Sequence, residues 1–157
     1  VVAPMDASVV SASRYLEGGE TQYLLTFINP CGIMYRFDHL LTLSPAMQAI
    51  ADTLPPAKVD DSRTTSLQQP VPVRAGDTIA TAVGFSKTKN VSVDFGVYDL
   101  RSKNSASQKA SYTASHSSDL EQHAICWLPL LPGSDATTVA GLPAGDQASG
   151  KKSDYCL

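Results

Sequence analysis

The residues from Val71 to Leu100 constrain the fold more than any other stretch, because they carry two strand patterns joined by a basic loop. Val71 and Val73 alternate with Pro72 and Arg74, Ala75-Gly76-Asp77 supplies a turn, and Ile79 to Gly84 resumes an apolar run that ends at a glycine. That order reads as a hairpin. In the second piece Val91, Val93, Phe95 and Val97 fall on one face, and Ser92, Asp94, Gly96 and Tyr98 on the other. The valine face is expected in the core, and the other face to carry whatever chemistry exists. A carboxylate at Asp94, between two buried neighbours, must look into a cleft or find a partner.

Upstream, Ser8 to Leu16 and Gln22 to Ile28 flank Glu17-Gly18-Gly19-Glu20, a hairpin with a Gly-Gly loop. Asn29-Pro30-Cys31-Gly32 makes the next turn. Ile33 to Leu41 makes a third strand with Tyr35, Phe37 and His39 on one side, so the expected start is an antiparallel meander. Ser44-Pro45 marks a helix start, Met47, Ile50, Ala51 and Leu54 follow at helical spacing, and Pro55-Pro56 ends it. Residues 55–70 are polar and read as an exposed insertion. From Arg101 to Ser118 almost no apolar residue appears apart from Tyr112, which predicts irregular surface chain. Ser118 and Glu121 have capping-box spacing before a short helix stopped at Pro129, and Leu130 to Leu157 reads as irregular chain. Residues 1–100 are therefore one β domain and residues 101–157 an irregular C-terminal extension packed on it, with fewer than about a fifth of residues helical against the usual third.

Composition narrows the function classes. A net charge of −3 and a pI near 5.5 leave no basic field for nucleic acid, and no apolar run is long enough for a membrane span. The chain opens on Val1, as a mature chain or a piece of a longer one does. Abundant Ser, Thr, Ala and Gly with sparse Lys and Glu point to an extracytoplasmic protein. Of the three cysteines, Cys126 and Cys156 bracket the C-terminal segment. A bridge between them would close a loop of about 30 residues and stabilise by ~3–4 kcal/mol, leaving Cys31 unpaired; three unpaired thiols are the alternative.

The titratable candidates are His39, His116, His123, Asp38, Asp94 and Asp99, and none forms a recognised catalytic or metal-binding spacing. His116 and His123 lie seven apart, a spacing that can put both on one helix face or leave both as ordinary surface residues. The order of four blocks nevertheless resembles the lysostaphin-type zinc endopeptidases, which act on peptidoglycan. The blocks are Val1 to Val9 with its Ala3-Pro4, Tyr35-x-Phe37-x-His39-Leu40, Val73-x-Ala75-Gly76-Asp77-x-Ile79-Ala80, and Val93-Asp94-Phe95-x-Val97. The Ala-Gly-Asp hairpin is also similar to that of barrel-sandwich hybrid domains.

The resemblance implies a mainly β fold, an antiparallel sheet or barrel-sandwich of the lysostaphin-peptidase type with one or two short helices. It also implies a degenerate site. His39 falls on the family's catalytic histidine, but aligning Phe95 with the aromatic after the family's His-x-His puts Ser92 and Asp94 where two histidines stand. Asp94 becomes the remaining metal candidate, and the first two ligands of the family would precede Val1. A hydrolytic zinc site needs three protein ligands and an open position. The expected function is accordingly non-catalytic, with no cofactor: a groove of Tyr35, His39, Ser92, Asp94, Gly96 and Tyr98 binding an extended peptide or glycan of the cell envelope, or joining an extracellular assembly by self-association. These residues are otherwise a polar cluster sealing a sheet face. The rival readings are a zinc metallopeptidase acting on cell-wall peptides with ligands ahead of Val1, and a structural subunit of a surface layer or filament.

Overall fold

In the computed structural model of the chain, residues 1–140 are described. They are mainly β, 41% strand and 22% helical, with seven strands in one open mixed sheet. Strands β1 (Ala7–Glu17), β2 (Glu20–Ile28) and β3 (Ile33–Leu43) form the expected meander. Gly18 and Gly19, at φ 58° and 75°, make the two-residue turn between β1 and β2, a conformation that glycine adopts without a Cβ penalty. Between β2 and β3 the Asn29 side chain accepts from the backbone N–H of Cys31 (3.0 Å) and Ile33 (2.9 Å). Neighbouring residues Leu24 and Leu25 point to opposite faces and are only 2% and 0% exposed, so the sheet is covered on both sides. One face holds an aromatic group in which Phe27 stacks on Tyr35 at 4.6 Å, with Phe37 edge-on to both. Such pairs contribute ~0.5–1.5 kcal/mol each beyond their buried area.

Helix α1 (Pro45–Ala51) starts as its sequence requires: the Ser44 hydroxyl accepts from the Met47 N–H at 3.5 Å and Pro45 occupies the first turn. Met47, Ile50, Ala51 and Leu54 are buried. The polar stretch 55–70 is largely exposed but not free chain. It supplies β4 (Lys58–Val59), which runs parallel to β1 and makes the sheet mixed rather than purely antiparallel, and the start of β5 (Thr65–Val73).

The expected hairpin at 71–84 does not form. β5 pairs with β1, whereas β6 (Ala80–Val83) pairs with β3, on the other flank of the meander. The turn chemistry was read correctly, but the N-terminal residues take the hydrogen bonds a hairpin would use: Ala3 N–H donates to Asp77 (2.9 Å), and Gly76 and Ile79 donate to Ala3 and Val1 (2.9 and 3.0 Å). The alternation at 91–97 is also corrected. Strand β7 is Asp94–Asp99, and Val91 and Val93 lie outside it, 83% and 36% exposed. The backbone of Asn90 and Ser92 is pressed against Gly84, and Phe85 bridges Asn90, so this segment closes a loop instead of extending a strand. β7 pairs with β3, and Phe95 stacks on Phe37 at 4.7 Å.

The chain divides into two compact units, Val1–Gly96 and a second starting at Val97. Up to residue 140 the second unit is not the irregular chain its polar composition suggests. Asn104 organises it, accepting from the Ser107 N–H (2.9 Å) and donating to the carbonyls of Glu121 (3.0 Å) and Ala124 (3.2 Å). Up to residue 140 this part of the chain holds three 3-10 turns and helices α2 (Ala110–Ser115) and α3 (Ser134–Ala140). These turns raise the helical share above the expected fifth. The Glu121 carboxylate does accept from the Ser118 N–H (3.1 Å), but the helix it starts is a 3-10 turn ending at His123, ahead of Pro129.

Candidate functional site

His39 departs from the pattern of its strand. Simple alternation puts it on the face of Tyr35 and Phe37, yet Leu25 faces Phe37 while Tyr23 faces Leu40, so β3 holds one residue more than β2 across this interval. That extra residue is a β-bulge. Leu40, with no exposure, takes the next core position, and His39, at φ 59°, turns to the face that carries Tyr15 and Gln22. Positive φ is uncommon outside glycine, though histidine is among the residues enriched there, and bulges recur beside binding and active sites. The bulge is pinned by Gly84, whose N–H donates to the His39 carbonyl at 2.8 Å, and by the Asp38 carboxylate accepting the His39 N–H at 2.8 Å.

The imidazole sits in an acidic socket. Its Nε2 lies 3.7 Å from an Asp94 oxygen, its Nδ1 3.9 Å from a Glu17 oxygen and 3.4 Å from the Tyr15 hydroxyl. The Tyr15 hydroxyl donates to Asp38 at 2.6 Å, and burial, followed by that hydrogen bond and the surrounding carboxylates, pushes its pKa upward. The Phe85 ring leans over the histidine with centroids 5.1 Å apart. Phe85 belongs to a small loop held to the β1–β2 turn, where Glu20 accepts from the Ser86 hydroxyl (2.5 Å) and the Lys87 N–H (2.8 Å) and Lys87 donates to Gly19. These contacts, led by the Ser86 hydroxyl, hold the Glu20 carboxyl below its ordinary range. Two carboxylates approach one half-buried imidazole, a third, Asp38, holds its backbone N–H and the neighbouring Tyr15 hydroxyl, and Arg36, 3.8 Å from Asp38, is the cation beside them.

The structure brings together His39 and Asp94 of the expected groove and separates the others. Tyr35 has no exposure and donates to the Met5 carbonyl at 3.2 Å, so it belongs to the aromatic core and lines no groove. Its pKa is pushed up to about 12, first by burial and then by Asp6. Ser92 and Gly96 are half-buried near Asp94 in sequence, and Tyr98 lies in the second unit, where it bridges Ala124. The histidines His116 and His123 do not share a helix face: His116 ends α2, stacked on Tyr112, and His123 faces the carbonyls of Asp99 and Ser102. Cys31 is a free, exposed thiol, and the Cys126–Cys156 pairing has its second partner outside the described residues.

Zinc, implied by the family resemblance, does not fit the residues around His39. Glu17 and Asp94 face opposite edges of the ring, so their oxygens diverge, and among the described residues no three His, Cys, Asp or Glu side chains are grouped to hold a metal ion. No family model matches this chain, and neither the curated proteins nor the solved structures give a match. Also among the described residues, no helix is long and apolar enough to cross a membrane.

Tyr15, Glu17 and Phe85 escaped the sequence reading. Tyr15 looks like any aromatic of a strand pattern, and Glu17 like part of a turn. A signal was present in the adjacent pair Asp38-His39, a polar interruption in a strand that otherwise buries every second residue, which is how a bulge shows itself in sequence.

Proposed function

We propose that the first unit is a non-catalytic, lysostaphin-peptidase-like domain, extracytoplasmic, that binds an extended peptide or glycan of the cell envelope beside His39. The observation that carries this reading is the ledge next to the socket. Val91 and Val93 are exposed on a segment that belongs to no strand, and they run directly into Asp94 and its contact with His39. An extended chain laid along that ledge gains apolar contact from the valines and main-chain hydrogen bonds, while His39, Glu17 and Asp94 read a polar or cationic group at its end. His39 is 18% exposed, with a carboxylate 3.9 Å from one ring nitrogen and another 3.7 Å from the other, an arrangement that offers acceptors to a donor group.

Co-sedimentation of the full chain with insoluble peptidoglycan tests this. Retention of the wild type, lost in both Val91→Asp and His39→Ala, is the expected result. Wild-type retention that survives both changes places binding elsewhere. Release of free amines from the peptidoglycan on adding zinc, abolished by Asp94→Ala, would replace the binding reading with the zinc metallopeptidase one.

A further inference from the structure

We infer that a second site, a cationic cleft of about 280 Å³ between β1 and the 55–65 segment, binds a small oxyanion, a phosphate or carboxylate group. No residue of the His39 socket lines it. Its walls bring together Arg14 and Ser13 from β1 and Lys58, Asp61, Arg63 and Thr65 from the polar stretch after α1. Three cations therefore face one carboxylate, and that carboxylate is spoken for. Asp61 accepts Nε and Nη2 of Arg63 in a fork at 2.7 and 2.6 Å, and those hydrogen bonds hold its pKa down to about 2. Across the neutral range the pair stays internally neutral, so Lys58, whose charge also acts on Asp61, has no ion pair of its own, and Arg14 has no carboxylate against it.

Arg14 has no carboxylate partner. Its Nη2 donates to the carbonyls of Leu54 (3.0 Å) and Pro55 (3.1 Å), its Nε is sealed from solvent with no acceptor, and Nη1 makes no hydrogen bond. A guanidinium kept half-buried on carbonyls alone is an incomplete arrangement, because a charge away from water requires a counter-charge or full hydrogen bonding. Ser13 lines the cleft through its place on the β1 edge, while its side chain, two residues from Tyr15, belongs to the other face of the sheet. Lys58 is exposed and makes no hydrogen bond or ion pair among the described residues, so its ammonium is available. A fixed guanidinium and a movable ammonium around one opening form a receptor for an oxyanion. The volume lies below the ~300–1,000 Å³ of sites that enclose drug-sized ligands, so the cleft takes a head group and not a whole nucleotide or oligosaccharide.

Titrating the 15N-labelled full chain with inorganic phosphate, with succinate, and with chloride at matched ionic strength tests the site and separates its two sources. Saturable shifts of the Ser13, Arg14 and Thr65 amides and of the Arg14 Nε–H are expected with an oxyanion and not with chloride. Saturation by phosphate alone assigns a phosphate ligand, and by succinate alone a carboxylate. Lys58→Ala should weaken binding about tenfold, and Asp61→Asn, which releases Arg63, should tighten it about threefold. The melting temperature of Lys58→Ala should match the wild type, since that side chain holds nothing in place. Equal shifts with chloride, or a titration indifferent to both substitutions, overturns the inference.

Discussion

The His39 socket and the Arg14 cleft are both built on β1 but differ in charge and in how tightly each is tied into the fold. Arg14 and Tyr15 are adjacent on that strand, and a period of two sends one to the carbonyls after α1 and the other to Asp38. The socket gathers carboxylates around an imidazole and depends on a bulge, a buried tyrosine and a glycine-pinned loop. The cleft gathers cations that, apart from Arg14, stand on exposed chain. Changes at the socket should therefore cost stability together with binding, whereas changes at the rim of the cleft should alter binding alone.

The largest expected effect comes from alkali. Tyr15 and Tyr35 have pKa values raised by burial, so the unfolded chain releases their protons first, near pH 10, and the folded chain does so later. Their contribution is fully present below about pH 10; that of Tyr35 is lost as pH climbs through about 12, while that of Tyr15 is still being lost above it, each at ~1.4 kcal/mol per pH unit. Urea midpoints at pH 9, 10 and 11, read with tyrosinate absorbance, check this. Early tyrosinate absorbance from these two residues in a chain that stays folded would remove them from the core and the socket.

Next is Gly84→Ala. Gly84 has φ 78°, and a Cβ there would fall 2.1 Å from the Asn90 carbonyl, so the loop must move. A loss of about 3 kcal/mol is expected, with faster amide exchange in residues 85–90 and at His39, and unchanged exchange around Ser13 and Arg14. Equal loosening of both regions would break the contrast between them.

Tyr15→Phe is the mildest test. It deletes the hydroxyl that donates to Asp38 and leaves that carboxylate its contacts with the His39 N–H and Arg36. A loss of ~1–2 kcal/mol in urea unfolding is expected, with oxyanion binding at the cleft intact. No measurable loss would mean that the socket is not anchored through β1.

The meander, helix α1 and the turns were legible in the sequence because each rests on local chemistry: Gly18-Gly19 for a tight reversal, Asn29 for an Asx turn, Ser44-Pro45 for a helix start. Asp94 and His39 were legible as a pair only through the order of blocks that resembles a peptidase family, and they do meet at 3.7 Å. Tyr35 was misplaced because alternation gives the two faces of a strand without saying which one is the core.

What the sequence by itself determined was where the chain turns and which segments are extended or helical, since those follow from backbone preferences a few residues long. Only the tertiary structure decided the partners. It sent β5 to β1 and β6 to β3 because Val1 to Ala3 claimed the hydrogen bonds between them. It exposed Val91 and Val93 because Gly84 holds the adjoining backbone, and it turned His39 outward because β3 has one residue more than its neighbour. Pairing and bulges are settled by competition for hydrogen bonds among segments far apart in the chain, and a local pattern carries no record of that competition.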